Sequence, residues 1–331
     1  MAREGGKIAV VGRDGAEGKE TLAELKKLGA EAIFVKADLS KDRQLAAAVR
    51  KALARWGRIS RVDDVDAYGT ADWVIEAVFE SQDLKHKVFQ EIEDIVEPDA
   101  ILGSNTSTLP ITILAEGVKR QEDFIGIHFF SPVDKMPLVE IIRGAKTSDA
   151  VLAKVIDYTL QIKKTPIVVH DSRGFFTSRV IGTFINEALA AIGEGVDPVY
   201  LEQAGQQAGY PAAPLQLADE LTLTLMQKIR LATETALKAE GKDVPQHGAF
   251  AVVDWMVENG RPSKKDGAGF YDYAEGKRTG LSKGFQEHFK SGSTKPDFAE
   301  LQERMLFIES IETVRCFDEG VMDSVADANI G

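Results

Sequence analysis

Two polar residues interrupt neighbouring apolar runs of this sequence and could act together as a base. His128 lies in the run FIGIHFF (124–130), and Glu140 lies in the run LVEII (138–142). A lone histidine in an apolar strand is usually a core residue, but a carboxylate among aliphatic residues is costly to bury unless a partner stabilises it. If the two runs are adjacent strands, Glu140 can orient the His128 imidazole and leave it able to accept a proton. The pair therefore predicts general-base chemistry.

Further polar side chains follow the other apolar runs. Glu76 and Glu80 come after WVI, and the segment SNTS (104–107) comes after AIL. Ligands of parallel sheets bind beyond the carboxyl ends of the strands, so these residues are site candidates. The alternative for SNTS is a cap for the helix ITILAEG, because Ser, Thr and Asn satisfy the open backbone amides of a helix start. The other histidines have no partner at a metal-ligand spacing, and we expect no metal site.

The segment IAVVGRDGAEGKETL has the form of a phosphate-binding turn between a strand and a helix. Its glycines are Gly12, Gly15 and Gly18, so the spacing is G-x-x-G-x-x-G. Backbone approach to a pyrophosphate normally uses G-x-G-x-x-G, and in this chain Asp14 and Glu17 take the later glycine positions. Carboxylates repel a pyrophosphate. The sequence thus predicts the architecture of a dinucleotide site with altered phosphate contacts.

The composition indicates a soluble protein and argues against several classes. The chain has 331 residues, of which 44% are hydrophobic and 28% charged, and its net charge is −12. This acidity argues against a nucleic-acid-binding surface, which needs a concentrated basic face. The single cysteine, Cys316, rules out a disulfide framework. No run reaches the ~20 apolar residues of a membrane span, and the start lacks a signal-peptide core, so we expect a cytoplasmic location.

Alternating strands and helices must position the polar residues. Residues 7–142 alternate short apolar runs with amphipathic segments such as ETLAELKKLG, which predicts a Rossmann-type, mainly parallel α/β sheet. The run TPIVVHDSRG closes this part, and helical periodicity dominates after it. We expect a dinucleotide-binding domain over residues 1–172, an all-helical domain over 173–273, and a linker with an incomplete second helical repeat over 274–331.

The second helical unit is expected because the sequence repeats itself. RVIGTFINEALAAIGEGV begins at Arg179, and RMLFIESIETVRCFDEGV begins at Arg304. Glu187 and Glu312 fall at the same offset in the two copies. A chance likeness between two amphipathic helices is the alternative. The segment 274–297 between the copies is polar and rich in glycine and lysine, which is typical of a linker.

Five motifs between residues 72 and 273 point to one family: DWVIEAVFESQDLKHKVF, SNTSTLPIT, IGIHFFSPVDKMPLVEII, TPIVVHDSRGFFTSRV and DGAGFYDY. In these motifs, and from about residue 59 onward, the chain resembles the 3-hydroxyacyl-CoA dehydrogenase module of the bacterial multifunctional fatty-acid-oxidation α subunit. The resemblance implies a nucleotide domain followed by two related helical domains. It also implies NAD as cofactor, an acyl-CoA substrate, and either a homodimer or a subunit of a fatty-acid-oxidation complex.

The resemblance implies roles for individual residues. His128 corresponds to the general base, Glu140 to the carboxylate that orients it, and Ser107 to a hydroxyl that contacts the substrate oxygen. Ser178 lies where many relatives have asparagine, since V-N-R is replaced by T-S-R, and the serine side chain is shorter. The residues expected to contact the cofactor are Glu80, Lys85 and Asn105.

Residues 7–58 resemble a different family, the short-chain dehydrogenases, but lack that family's glycine-rich first turn and its catalytic tyrosine–lysine pair. This segment allows two alternative placements of the adenosine ribose of the cofactor. Asp38, at the end of a predicted strand, is expected to bind the adenosine ribose of NAD. In the short-chain register, Arg13 lies beside that ribose or its phosphate and favours NADPH.

The function expected from these features is the NAD-dependent oxidation of (3S)-3-hydroxyacyl-CoA to 3-oxoacyl-CoA in fatty acid β-oxidation. The alternative is a catalytically impaired remnant that binds acyl-CoA or a partner subunit. The altered glycine loop, Ser178 and the incomplete second repeat suggest that alternative. A short-chain-type reductase that uses NADPH is a third hypothesis, and the chain lacks the catalytic residues for it.

Overall fold

The computed structural model describes residues 7–12, 15–27, 31–36, 71–239 and 241–331. The chain divides into two compact units, one of Met1–Ala71 with Ile95–Glu97, the other of Asp72–Asp94 with Pro98–Gly331. Arg13 and Asp38, for which the sequence predicts cofactor contacts, lie outside the described residues, as do Asp14 and the junction near residue 58.

The described part of the first unit is a β–α–β element. It consists of β1 (Lys7–Gly12), α1 (Gly15–Lys27) and β2 (Glu31–Lys36). The two strands pair in parallel, with Lys7 opposite Glu31 and Gly12 opposite Lys36. The last turn of α1 ends in two lysines, which suit the negative end of the helix dipole.

The second unit begins with a five-stranded sheet. Its strands are β3 (Trp73–Glu76), β4 (Ile101–Ser104), β5 (Phe124–Phe129), β6 (Leu138–Arg143) and β7 (Thr165–His170). They lie side by side in chain order, and every pairing except β5–β6 is parallel. This confirms the mainly parallel α/β sheet. The antiparallel pair arises because the connection 130–137 is too short for the crossover that parallel neighbours need.

Three helices accompany this sheet: α2 (Gln82–Ile92), α3 (Ile111–Ala115) and α4 (Asp149–Gln161). Ser148 caps α4 by accepting the backbone N–H of Val151. The apolar residues of β4, β5, β6 and α4 form one buried cluster: Ile101, Ile125, Ile127, Val139, Ile141, Val151 and Val155. This core fixes the strand ends that carry the polar residues.

The rest of the second unit is mainly helical. Its first five helices are α5 (Thr177–Gly193), α6 (Pro198–Gln207), α7 (Pro214–Leu221), α8 (Leu223–Ala239) and α9 (Ala249–Glu258). Helix α5 is central, because Phe184, Leu189 and Ile192 on it are all fully buried. No helix in the described ranges is long and apolar enough to cross a bilayer.

The segment 274–297 differs from the linker that the sequence predicts. A hairpin of β8 (Tyr271–Ala274) and β9 (Lys277–Leu281) opens it, and α10 (Lys283–His288) follows. Phe285 of α10 is fully buried, and its ring meets that of Phe270 edge-on with centroids 5.2 Å apart. One buried aromatic residue anchors a helix whose other residues are polar, and a composition average does not reveal such an anchor.

The repeated segments pack against each other as helices α5 and α11 (Phe298–Asp318). Arg179 Nε of α5 lies 2.7 Å from Glu312 Oε1 of α11, and Arg304 Nε of α11 lies 2.9 Å from Glu187 Oε1 of α5. This exchange of equivalent partners is the pattern of a local two-fold relation. The paired segments are the two that resemble each other in the sequence.

The C-terminal residues cover the outer edge of the sheet. After α11 the chain reaches β7, where Val321 O accepts the backbone N–H of His170 at 2.9 Å. The last helix is α12 (Val325–Ile330), and Asp327 Oδ2 accepts the N–H of Val168 at 3.2 Å. An edge strand has free backbone donors, so this segment satisfies two of them.

Candidate active site

The antiparallel pairing of β5 and β6 places His128 directly opposite Glu140. Nδ1 of His128 lies 2.9 Å from Oε2 of Glu140. The glutamate is 0% exposed and the histidine 7% exposed, so the contact is screened from water. The structure thus brings together the two residues that the sequence predicts on neighbouring strands.

The Glu140 carboxylate also closes the start of α5. Its Oε1 accepts the backbone N–H groups of Phe176 at 2.9 Å and Thr177 at 3.0 Å. Its Oε2 accepts the Thr177 hydroxyl at 2.6 Å. These donors and the positive end of the helix dipole stabilise a negative charge at this buried position. No local sequence pattern points to Thr177, because only the fold brings it to β6.

The contact with Glu140 sets the tautomer of His128. A carboxylate only accepts hydrogen bonds, so Nδ1 carries the hydrogen and Nε2 keeps its lone pair. Among the described residues, Nε2 has no hydrogen-bond partner. The rings of Phe130 and Phe175 flank the imidazole, with centroids 4.4 and 6.2 Å away. The arrangement leaves Nε2 of His128 available as a base beside two apolar rings.

The turn before α5 has unusual backbone at two consecutive residues. Gly174 has a φ of 79° and Phe175 a φ of 51°, so both are left-handed. For a residue other than glycine this conformation costs about 1–2 kcal/mol. Two backbone hydrogen bonds hold the turn: Gly174 N–H donates to Thr108 O, and Phe175 N–H donates to Ser172 O, both at 3.2 Å. The Ser172 hydroxyl also donates to Phe175 O at 3.3 Å. The strained backbone places the Phe175 ring beside His128.

The SNTS segment wraps around the carboxylate of Glu80. Glu80 Oε1 accepts the backbone N–H of Ser107 at 2.9 Å, that of Thr108 at 3.2 Å, and the Thr106 hydroxyl at 2.5 Å. Burial alone would raise the pKa of Glu80, but the Thr106 hydrogen bond and the charge of Lys85 outweigh it and lower that pKa below its usual range. The carboxylate therefore stays ionised and organises this segment.

Another residue performs the helix capping that was the alternative role for SNTS. Asp171 accepts the first backbone N–H groups of α3, with Oδ1 2.8 Å from Ile111 N and Oδ2 2.7 Å from Thr112 N. Asp171 follows β7 and is distant in sequence, so no local pattern predicts this cap. The SNTS side chains are left to contact Glu80 and neighbouring strands.

Lys85 lies beneath this segment and is fully buried. Its Nζ is 2.8 Å from Glu76 Oε1 and 3.3 Å from Glu80 Oε2, and it donates to Val78 O at 3.3 Å. Glu76 Oε2 in turn accepts the Ser104 hydroxyl at 2.7 Å. The ammonium thus neutralises Glu76 at the end of β3 and Glu80 in the loop that follows this strand. Lys85 thus lies behind Glu80, with its ammonium enclosed by these three acceptors.

Asn105, Ser107 and Ser178 connect the SNTS segment to its surroundings. Asn105 Oδ1 accepts the backbone N–H of Phe129 at 2.8 Å, which joins the ends of β4 and β5. Ser178 Oγ donates to Ser107 O at 3.2 Å. The Ser107 hydroxyl lies 3.4 Å from Glu80 Oε1, a weak contact that leaves it able to turn to another acceptor.

Features of each unit suit a dinucleotide. In the first, β1 ends at Gly12 and α1 begins at Gly15, with Gly18 in its first turn. The free N–H groups of a helix N-terminus attract phosphate. In the second, the Glu80 side chain is 27% exposed and can accept hydrogen bonds from ribose hydroxyls. The chemistry of these donors and acceptors fits NAD. Within the described residues, no cluster of His, Cys, Asp and Glu could hold a metal ion.

Two family models match the chain in succession. Residues 1–172 match the model described as 3-hydroxyacyl-CoA dehydrogenase, NAD binding domain. Residues 174–273 match the model described as 3-hydroxyacyl-CoA dehydrogenase, C-terminal domain. The first match includes residues 7–58, the segment with a likeness to short-chain dehydrogenases.

Individual proteins give the same picture. The fatty acid oxidation complex subunit alpha of Shewanella sp. (strain MR-7) is 38% identical over 267 residues, which are 79% of this chain and 37% of that protein. This chain therefore spans little more than a third of that relative's length. The (S)-3-hydroxybutyryl-CoA dehydrogenase of Ralstonia eutropha is 30% identical, with a TM-score of 0.61 over 81% of this chain and 99% of that chain.

The 3-hydroxybutyryl-CoA dehydrogenase of Escherichia coli shares the fold, with a TM-score of 0.67, 21% identity, and coverage of 97% of this chain and 86% of that one. The family models match the NAD-binding and C-terminal domains in the same order as the sheet and the helices of the structure. The chain belongs to the 3-hydroxyacyl-CoA dehydrogenase family.

Proposed function

We propose that this chain catalyses the NAD-dependent oxidation of a (3S)-3-hydroxyacyl-CoA to the 3-oxoacyl-CoA. One observation carries the proposal: the buried His128–Glu140 contact of 2.9 Å leaves Nε2 of the imidazole without a partner among the residues that the structure describes, in a chain of a dehydrogenase family. An alcohol needs a base near its hydroxyl before it can lose hydride. We assign this role to His128.

In the proposed reaction, Nε2 of His128 takes the proton of the 3-hydroxyl group. The electron pair left on oxygen forms the C3=O double bond as C3 loses a hydride. NAD, when bound, supplies the hydride acceptor. A positioned base of this kind accelerates proton transfer about 10²–10⁴-fold.

Glu140 makes His128 a better base in two ways. Before the reaction it holds the hydrogen on Nδ1, so that the lone pair is on Nε2. After proton transfer its negative charge stabilises the imidazolium, and the N-terminus of α5 keeps that charge in place. Burial strengthens this attraction, because little water screens it.

Two serines are assigned to the substrate side of the site. We propose that the Ser107 hydroxyl, held only weakly by Glu80, donates to the substrate oxygen as negative charge develops there. Ser178 donates to the Ser107 carbonyl, so its proposed role is to hold the Ser107 backbone in position. Asparagine at position 178 would reach further towards a ligand.

Replacement of the base tests the proposal. His128→Gln is expected to lower kcat by at least about a hundredfold with 3-hydroxyacyl-CoA and NAD. The unfolding temperature should change by only a few degrees, because the imidazole makes one hydrogen bond. His288→Gln is the matched control, since His288 is exposed in the helical region, where it stacks on Trp255 and meets Phe289 edge-on. An unchanged rate in His128→Gln would overturn the assignment.

The cofactor assignment has its own test. We expect saturable binding of NADH in a fluorescence titration, because the N-terminus of α1 offers free backbone N–H groups in spite of the altered glycine spacing of the sequence. Tighter binding of NADPH would favour the register that uses Arg13. If neither nucleotide binds, the chain is the impaired remnant, with a base but no hydride acceptor.

A second proposal concerns partners, and an apolar face of α11 carries it. Leu306, Phe307, Ile311 and Val314 on this helix are 41–59% exposed. Leu189, at the position of α5 equivalent to Val314, is fully buried. Exposed apolar patches of this kind mark contact surfaces. We propose that this face binds a second copy or another subunit of a fatty-acid-oxidation complex in the cytoplasm, and a monomer in sedimentation at all concentrations would contradict self-association.

A further inference from the structure

We propose that Thr177 is a positioning residue for the general-base pair, and that its hydroxyl fixes the Glu140 carboxylate in the orientation that selects the tautomer of His128. The catalytic consequence rests on the proposed function. The structural part does not, because it concerns one carboxylate and one imidazole within the chain.

The hydrogen bonds of Glu140 carry the proposal. A carboxylate has about four lone-pair sites, two on each oxygen. In Glu140, two backbone N–H groups fill the sites of Oε1, while the Thr177 hydroxyl and His128 Nδ1 fill those of Oε2. With every site taken, the group cannot rotate without losing several bonds at once. The Thr177 contact is the shortest, at 2.6 Å.

The hydroxyl matters because the terminal torsion of a glutamate is intrinsically broad. Without Thr177, the His128 contact is the single hydrogen bond on Oε2. The carboxylate can then tilt about its two backbone contacts, and the oxygen no longer stays in line with Nδ1. A neutral imidazole in that situation exchanges between its two tautomers, and the Nε2–H form has no lone pair for a substrate.

The charged groups around Glu140 do not replace this hydroxyl. Arg179, one residue beyond Ser178 on α5, pairs with Glu312 and Glu319 on α11. Cys316 of the same helix also faces this region, but burial raises the pKa of its thiol to about 11, so it is uncharged at neutral pH. Thr177 and His128 are the two side chains that hydrogen-bond Glu140 among the described residues.

Two variants separate the hydroxyl from the shape of the side chain. Thr177→Val keeps the shape and removes the hydroxyl, and we expect kcat to fall about tenfold with little change in KM, because misorientation of a catalytic group weakens the transition state more than substrate binding. Thr177→Ser keeps the hydroxyl and should retain most of the wild-type rate. Thr183→Val is the matched control on α5, where the threonine hydroxyl bonds only Val180 O.

A spectroscopic readout tests the mechanism directly. The ring-nitrogen NMR signals of His128, assigned by their loss in His128→Gln, should show one tautomer with Nδ1–H in the wild type, Thr177→Ser and Thr183→Val. In Thr177→Val they should show a mixture of both tautomers. A single Nδ1–H tautomer with unchanged kcat in Thr177→Val overturns the proposal, as does an equal loss in Thr177→Ser.

The two proposals fail in different ways. If the wild-type chain oxidises no 3-hydroxyacyl-CoA, the proposed function fails, yet the NMR comparison of Thr177→Val with Thr177→Ser still decides whether the hydroxyl fixes Glu140. If the enzyme is active and Thr177→Val changes neither kcat nor the tautomer, the function stands and the positioning role is rejected.

Discussion

Replacement of Glu140 by glutamine should invert the tautomer of His128. The two backbone N–H groups that face Oε1 cannot turn into acceptors, so the amide oxygen of the glutamine must stay with them. The amide NH₂ then faces the Thr177 hydroxyl and His128 Nδ1. The hydroxyl can rotate and accept, whereas Nδ1 can accept only if its hydrogen moves to Nε2.

The size of this preference follows from a comparison of the two orientations that the glutamine amide can take. If the amide flips to suit His128, its NH₂ group faces two N–H donors, and each unsatisfied buried donor costs about 1–3 kcal/mol. The inverted tautomer is therefore favoured by several kcal/mol, and Nε2 has no lone pair for the substrate. The loss in kcat should approach the full contribution of the base, about 10²–10⁴-fold. Removal of the charge that stabilises the imidazolium acts in the same direction.

The assay is the formation of NADH with 3-hydroxyacyl-CoA, combined with ring-nitrogen NMR of His128. Glu312→Gln is the matched control: this glutamate is also buried and also hydrogen-bonded, but it contacts Arg179 and lies away from His128. It should lower stability and leave kcat close to wild type. A Glu140→Gln variant with near wild-type kcat, or with hydrogen still on Nδ1, would refute the reasoning.

Two further predictions concern stability. Burial raises the pKa of Glu202 to about 7, so the folded state holds a proton that the unfolded chain loses near its ordinary value. The free energy of unfolding should thus fall by up to about 3 kcal/mol as pH rises from 4.5 through 7, and Glu202→Gln should remove that fall in denaturant titrations. Gly269→Ala, just before β8, places a Cβ inside the buried Asp219 carboxylate and should cost more than about 3 kcal/mol. Gly280→Ala in β9, where a Cβ meets nothing within 4 Å, should be tolerated, and equal midpoints would contradict this.

Much of the fold could be predicted from the sequence, because each strand is a short apolar run and each helix has its own periodicity. The repeat was visible as well, since Arg179 and Arg304 open two similar segments. What the pattern could not show was long-range anchoring. Phe285 makes a folded helix out of a polar segment, and Asp171 caps α3 from a distant strand end. Neither contact leaves a local signal.

By itself the sequence singled out the proposed base and its partner. It singled out His128 because the residue is polar within an apolar strand, and Glu140 because a buried carboxylate needs a partner. Residue type and the two-residue alternation of a strand are local properties of the chain, so they can be recognised in the sequence without a structure. The same holds for the α/β alternation that puts polar residues at strand ends.

Only the tertiary structure decided how these residues meet. The antiparallel register sets His128 opposite Glu140, where a shift of one residue would turn their side chains to opposite faces of the sheet. The fold also brings Thr177 to Oε2 and buries Lys85 between Glu76 and Glu80. Whether a hydrogen bond forms depends on differences of a few tenths of an ångström in the distance between two groups, here on residues far apart in the chain. Packing fixes such distances, and no pattern of residue types contains them.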